Sequence, residues 1–116
     1  MAVKFRLLGE HEEMRVKWPV TVPVPADGGV VSQQMTAHFI ILGADEMESI
    51  INADPARQAQ NVLEKAWTGW EGVETPGGGE AAFNAEVRAR MLNFYFVRLA
   101  VYQAYNDCLM GRAVKN

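Results

Sequence analysis

Residues 14–24 alternate without a break. Met14, Val16, Trp18, Val20, Val22 and Val24 fall on one face, and Arg15, Lys17, Pro19, Thr21 and Pro23 on the other. A period of two with one apolar face specifies a half-buried strand. Pro25-Ala26-Asp27-Gly28-Gly29 then supplies turn chemistry, and a second run follows in which Met35, Ala37, Phe39 and Ile41 share a face. The two runs are expected to pair as an antiparallel hairpin. Pro19, Pro23 and Pro25 have the same parity, so their missing N–H groups all lie on one side of the first strand. The hairpin must use the opposite side, which leaves the proline side as a blunted edge. The leading segment Val3–Leu8 also alternates, with Val3, Phe5 and Leu7 together, and Gly9-Glu10-His11-Glu12-Glu13 reads as a turn. That segment can add a third strand, with the proline-free start of the first strand preferred over the far side of the second as its place.

After Gly43 the period lengthens to about 3.6. Met47, Ile50 and Ile51 line a short helix beginning near Ala44, and Asp54-Pro55 restarts the chain with an N-cap followed by a first-turn proline. The next helix carries Ala59, Val62, Leu63, Ala66 and Trp67 on one stripe and is expected to end near Gly69. Pro76-Gly77-Gly78-Gly79 marks a loop, and Asn84 begins a last helix that can run to Gly111, with Glu86 in its first turn. One α+β domain follows: a small antiparallel sheet of two to three N-terminal strands in 1–42, a helical pair in 43–70, a loop in 71–83 and one long C-terminal helix in 84–111. At roughly 1.5 Å per residue that helix is about 40 Å long, whereas a compact domain of this size is only about 35 Å across.

On a 100° wheel Val87, Met91, Phe94, Tyr95, Val101, Tyr102, Tyr105 and Leu109 form one wide face suited to packing under the sheet. A second stripe of Leu92, Phe96, Leu99, Gln103 and Met110 is spaced like a coiled-coil seam with one polar interruption. The wide face is expected to be core and the narrow stripe a protein-interaction surface. Arg98 falls inside the wide face, where it is expected to stack on a tyrosine and reach solvent, or to pair with an acid of the middle segment.

Composition removes several function classes. The net charge of −3 lacks the basic surplus that non-specific phosphate binding needs, so no nucleic-acid partner is expected. No apolar stretch approaches the roughly 20 residues that span a bilayer, and Met1–Arg6 opens no signal-peptide core, so a cytoplasmic protein with no membrane partner is expected. Cys108 is the single cysteine and reads as a buried thiol among Tyr105, Leu109 and Met110. Acids dominate residues 43–83 and bases residues 84–116, which fits packing of the two segments on each other or head-to-tail self-association.

No constellation with catalytic spacing emerges. His11 stands among Glu10, Glu12 and Glu13, but consecutive turn residues rarely converge on one ion, and His38 has no acid or cysteine near it in sequence. Gly77–Gly79 lacks the lysine of a phosphate-binding loop. Trp67, Trp70 and Phe83 read as core anchors rather than as a clamp for a base or sugar. Catalytic residues, metals and cofactors are therefore not expected.

The order of features resembles the tail assembly chaperones of long-tailed bacteriophages and prophages. The residues that carry the resemblance are Val22-Pro23-Val24-Pro25-Ala26-Asp27, then Thr36-Ala37-His38-Phe39 leading into Gly43-Ala44-Asp45-Glu46-Met47. Trp67-Thr68-Gly69-Trp70-Glu71-Gly72-Val73 follows, and then a long helix through Ala104-Tyr105 to Gly111-Arg112-Ala113-Val114-Lys115-Asn116. The resemblance implies a non-catalytic, oligomer-forming protein of the bacterial host cytoplasm. Such a protein keeps the tape measure protein soluble and helps recruit tail-tube subunits. It also implies a longer frameshifted product, for which Lys115-Asn116 can be encoded by a slippery run. The alternatives are a structural tail or head–tail connector subunit that stays in the virion and, in third place, a small enzyme or nucleic-acid binder.

Overall fold

A computed structural model describes residues 2–112. Lys115-Asn116, on which the frameshift expectation rests, lies outside the described residues. Strands β1 (Arg15–Ala26) and β2 (Gly29–Ile40) form the antiparallel hairpin, in continuous register from Arg15↔Ile40 to Ala26↔Gly29. Gly28, at φ 72°, provides the left-handed step that lets two residues close so long a ribbon. The sheet order is β1-β2-β3, so β1 is an edge strand with Pro19, Pro23 and Pro25 on it. Proline parity requires this, because the outward N–H groups at those positions do not exist.

Helix α1 (Ala44–Ala53) follows, then a 3-10 turn (Pro55–Arg57) and α2 (Gln58–Ala66). The third strand is not the leading segment. It is β3 (Trp67–Glu71), placed after the helices and antiparallel to β2. Residues 2–9 form no strand, and Val3, Phe5 and Leu7 are 90%, 89% and 79% exposed. The far side of β2, where that segment could have paired, is taken by β3.

A bulge places β3. Ala37 opposes Trp70 and His38 opposes Gly69, but Phe39 opposes Trp67, so Thr68 is the extra residue. The bulge turns Trp67 and Trp70, three residues apart, onto one face, and both are buried. That spacing imitates a helical i, i+3 pair, and the expected extension of α2 to Gly69 fails for this reason. The Thr68 hydroxyl donates to the His38 carbonyl at 3.3 Å, giving that ladder carbonyl a partner beside the bulge.

The largest departure concerns the last third of the chain. The expected single helix is two: α3 (Ala85–Leu92) and α4 (Tyr95–Leu109), separated by Asn93 and an extended Phe94 at φ −94°, ψ 125°. The Asn84 side chain caps α3 by accepting from the Val87 N–H at 2.8 Å. Neither proline nor glycine causes the break. Leu92 and Val101 are nine residues apart, about 180° on a continuous wheel, yet both are fully buried. A straight helix would expose one of them, whereas the break buries both. Burial of each such side chain is worth about 1.5–3 kcal/mol, comparable with the few helical hydrogen bonds lost, and Phe94 N–H to Met91, Val97 N–H to Phe94 and Arg98 Nε to Leu92 replace part of those.

The core lies between the apolar face of the hairpin and the helices. Val20, Ala37 and Phe39 of the sheet meet Val62, Leu63 and Ala66 of α2 and Val97, Val101 and Tyr105 of α4. The Tyr105 ring stands edge-on to Phe39 with centroids 5.0 Å apart. Its hydroxyl donates to the Ile40 carbonyl at 2.8 Å and accepts from the Leu42 N–H at 2.9 Å, which pins α4 to the exit of β2. At the other edge, Arg88 of α3 donates to the Trp67 carbonyl at 2.9 Å and lies 5.8 Å from the Phe83 ring. Trp67, Trp70 and Phe83 form one aromatic cluster, and the Trp70 indole donates to the Ala81 carbonyl at 2.8 Å. These side chains close the core, as a structural role for the two tryptophans requires.

Candidate protein-interaction surface

Helix α4 covers the hairpin only in part. Towards the hairpin turn the apolar face of the sheet continues through Val22 and Met35, 7% and 8% exposed, to half-buried Val24. Val73 and Pro76 of the loop after β3 flank this surface on one side, and Met91, Phe94, Phe96 and Val97 at the α3–α4 break flank it on another. Between them lies an open groove of about 740 Å³ with Gln33, Gln34, Glu74 and Thr75 among its polar groups. The break builds one wall, since extended Phe94 lets its ring and that of Phe96 stand side by side, 5.5 Å apart. An aliphatic floor with an aromatic wall and few polar groups suits the apolar face of another polypeptide.

The expected contact stripe is divided by the same break. Leu92 is fully buried and belongs to the core, so its assignment to a protein contact is corrected. Phe96 is half-buried and lines the groove. Leu99 and Met110 are exposed, at 63% and 66%, and Gln103 is exposed while donating to Asp107 at 3.0 Å. These three lie on the outer side of α4 or just past its end, away from the groove lining. The wide face needs a matching correction. Val101 and Tyr105 are core, but Phe94 and Tyr95 are 55% and 74% exposed, because the helix restarts there at the margin of the sheet. Arg98 behaves as its amphipathic chemistry requires. Its guanidinium lies 5.3 Å from the Tyr95 ring and its Nε donates to the Leu92 carbonyl at 2.9 Å.

The loop at the groove's rim is more ordered than its glycines suggest. Glu74 and Glu80 face each other across a single antiparallel bridge, closed by Thr75 N–H donating to the Gly79 carbonyl at 2.7 Å and Ala81 N–H to the Val73 carbonyl at 2.7 Å. Among the described residues neither carboxylate has an ion-pair partner. Two like charges directly opposite one another repel.

The opposite, polar face of the sheet carries a cluster that sequence reading missed. His38 Nε2 lies 2.8 Å from a Glu71 carboxylate oxygen, and Lys17 Nζ lies 3.3 Å from the same oxygen, so one side chain of β3 ties β1 and β2 to it. The hydrogen bond from His38, and then Lys17, hold the Glu71 carboxyl below the usual carboxylate range. The two partners are 33 residues apart, and only knowledge of β3 brings them together. Cys108 is half-buried, and burial pushes its thiol up, away from thiolate reactivity.

Compared with known protein families, curated proteins and solved structures, the chain matches none. No described helix is long and apolar enough to cross a membrane.

Proposed function

We propose that this chain is a non-catalytic assembly factor of the tail assembly chaperone type. It shelters amphipathic helices of the tape measure protein in the bacterial host cytoplasm and helps bring tail-tube subunits to them. The observation that carries the reading is the apolar groove walled by Phe94 and Phe96 over Val22, Val24 and Met35. An amphipathic helix presents apolar side chains at i, i+3, i+4 and i+7, and a groove of aliphatic floor and aromatic wall receives that pattern through burial rather than directed hydrogen bonds. Recognition of that kind tolerates many sequences, as a chaperone of a long repetitive helical client requires. The sequence layout supports the identity of the client.

The test is co-expression with the tape measure protein encoded in the same gene cluster, followed by pull-down and measurement of the soluble client fraction. A complex that keeps the client soluble is expected, and Phe96→Asp is expected to abolish it. A client that stays insoluble and uncaptured overturns the reading. So does recovery of this chain as a stoichiometric component of purified virions, which would make it a structural subunit.

A further inference from the structure

We propose that the groove binds the leading arm of a second copy of this chain, with Val3, Phe5 and Leu7 of one molecule lying over Val22, Val24 and Phe96 of the next. The arm has the pattern of a strand and no partner. Val3, Phe5 and Leu7 share one face and are 79–90% exposed, and residues 2–8 make no backbone hydrogen bond to the body among the described residues. A bare face of three large apolar side chains on one segment and a groove rimmed by exposed Phe94 and half-buried Val24 and Phe96 on the same molecule are two halves of one contact.

The arm's own body does not supply that contact. Its base is tied at the turn, where Glu12 accepts the Gly9 N–H at 2.9 Å and both terminal nitrogens of Arg6 at 3.2 and 3.3 Å. That turn sits at the start of β1, while the groove floor at Val22 is seven residues along the strand, about 23 Å away. Leu7 lies two residues, about 7 Å, from that turn, so with the turn held as it is the three side chains cannot seat together over their own groove floor, whereas the groove of a neighbour can take all three.

Charge decides between the groove and the other open feature, the edge of β1. Pairing along that edge would meet the prolines and would set Lys4 and Arg6 beside Arg15 and Lys17. In the groove, the apolar face of the arm turns inward and Lys4 is left at the rim. There it meets Glu74 and Glu80, two opposed carboxylates with no ion-pair partner among the described residues. A cation at that point relieves their repulsion. A client helix entering the same groove has to displace the arm, whereas the arm contact between copies of the purified chain needs no client.

The test is the association state of the isolated full chain by sedimentation equilibrium and light scattering. The wild type is expected to self-associate and Phe5→Asp to be monomeric, with an unchanged near-ultraviolet circular dichroism spectrum because Phe5 lies outside the core. Glu74→Lys is expected to weaken association about tenfold, and adding Lys4→Glu to it should restore most of the loss. A wild type that stays monomeric at its solubility limit overturns the proposal. So does a Phe5→Asp chain that associates like the wild type, or a charge exchange that gives no rescue.

Discussion

Arg98 Nε donates to the carbonyl of Leu92, six residues earlier, at 2.9 Å, so the first turn of α4 supplies a partner for the last turn of α3. The same guanidinium rests by the Tyr95 ring. A single side chain therefore bridges the break that buries Leu92 and sets out Phe94. Arg98→Met keeps the aliphatic stem and removes the donor. It is expected to cost about 1–2 kcal/mol, read as a lower urea midpoint at unchanged slope, and an unshifted midpoint would show that packing alone sets the break.

Tyr105 offers a sharper test, because its hydroxyl serves both the Ile40 carbonyl and the Leu42 N–H. Tyr105→Phe is expected to destabilise the fold by about 1–2 kcal/mol, since two backbone groups lose their partner at a partly buried site. Burial raises the phenol above its ordinary value of 10.0. The folded state thus holds the proton more tightly than the unfolded chain, so this contribution is complete below about pH 10 and is lost as pH rises through the folded value. Thermal melts at alkaline pH should show a downward slope in the wild type that is smaller in the Phe variant.

Glu71 gives the opposite sign. Its carboxyl is held low by His38 and Lys17, so its stabilising effect is present above the ordinary carboxylate value of 4.5 and disappears as pH falls through the lowered folded value. Melting temperatures of the wild type and Glu71→Gln are expected to differ near neutrality and to converge in acid. Parallel curves down to the acid transition would remove the cluster from the account.

Gly69 is required by the ring across from it. A Cβ there would lie 2.7 Å from His38 Nδ1, and the ring is tethered by Glu71, so Gly69→Ala must push it off its partner. A loss of about 1–2 kcal/mol is expected. In a double-mutant cycle with His38→Ala most of that loss should vanish, because the clash partner is gone. Additive losses would place the constraint in the backbone instead.

How much of this was legible follows from which interactions are local. The hairpin and its proline edge could be read because alternation and proline chemistry act within one strand and its neighbour. The cap at Asn84 is local as well, whereas Asp54 heads the Pro55–Arg57 3-10 turn without a side-chain cap bond and α2 begins only at Gln58. β3 could not be read, because the bulge at Thr68 disguises its period, and with it went the His38–Glu71 contact. The break at Asn93-Phe94 has no breaker residue to announce it. It exists because Leu92 and Val101 both reach the core, a demand set by tertiary packing. The wheel that put Leu92 outside and Tyr95 inside was sound for a straight helix, and the helix is not straight. Phe96 alone of the stripe reached the groove, since it sits where the break opens one.

The prolines of β1 bear on the fate of a chain that leaves Val3, Phe5 and Leu7 uncovered. Such a protein runs the hazard of seeding cross-β growth, in which each added chain templates the next through its backbone. Pro19, Pro23 and Pro25 remove the outward donors from the turn-side half of that margin, and the opposite margin is occupied at Trp67 by Arg88. Contacts through side chains are untouched by these prolines, whereas backbone templating along that edge is obstructed at its first step.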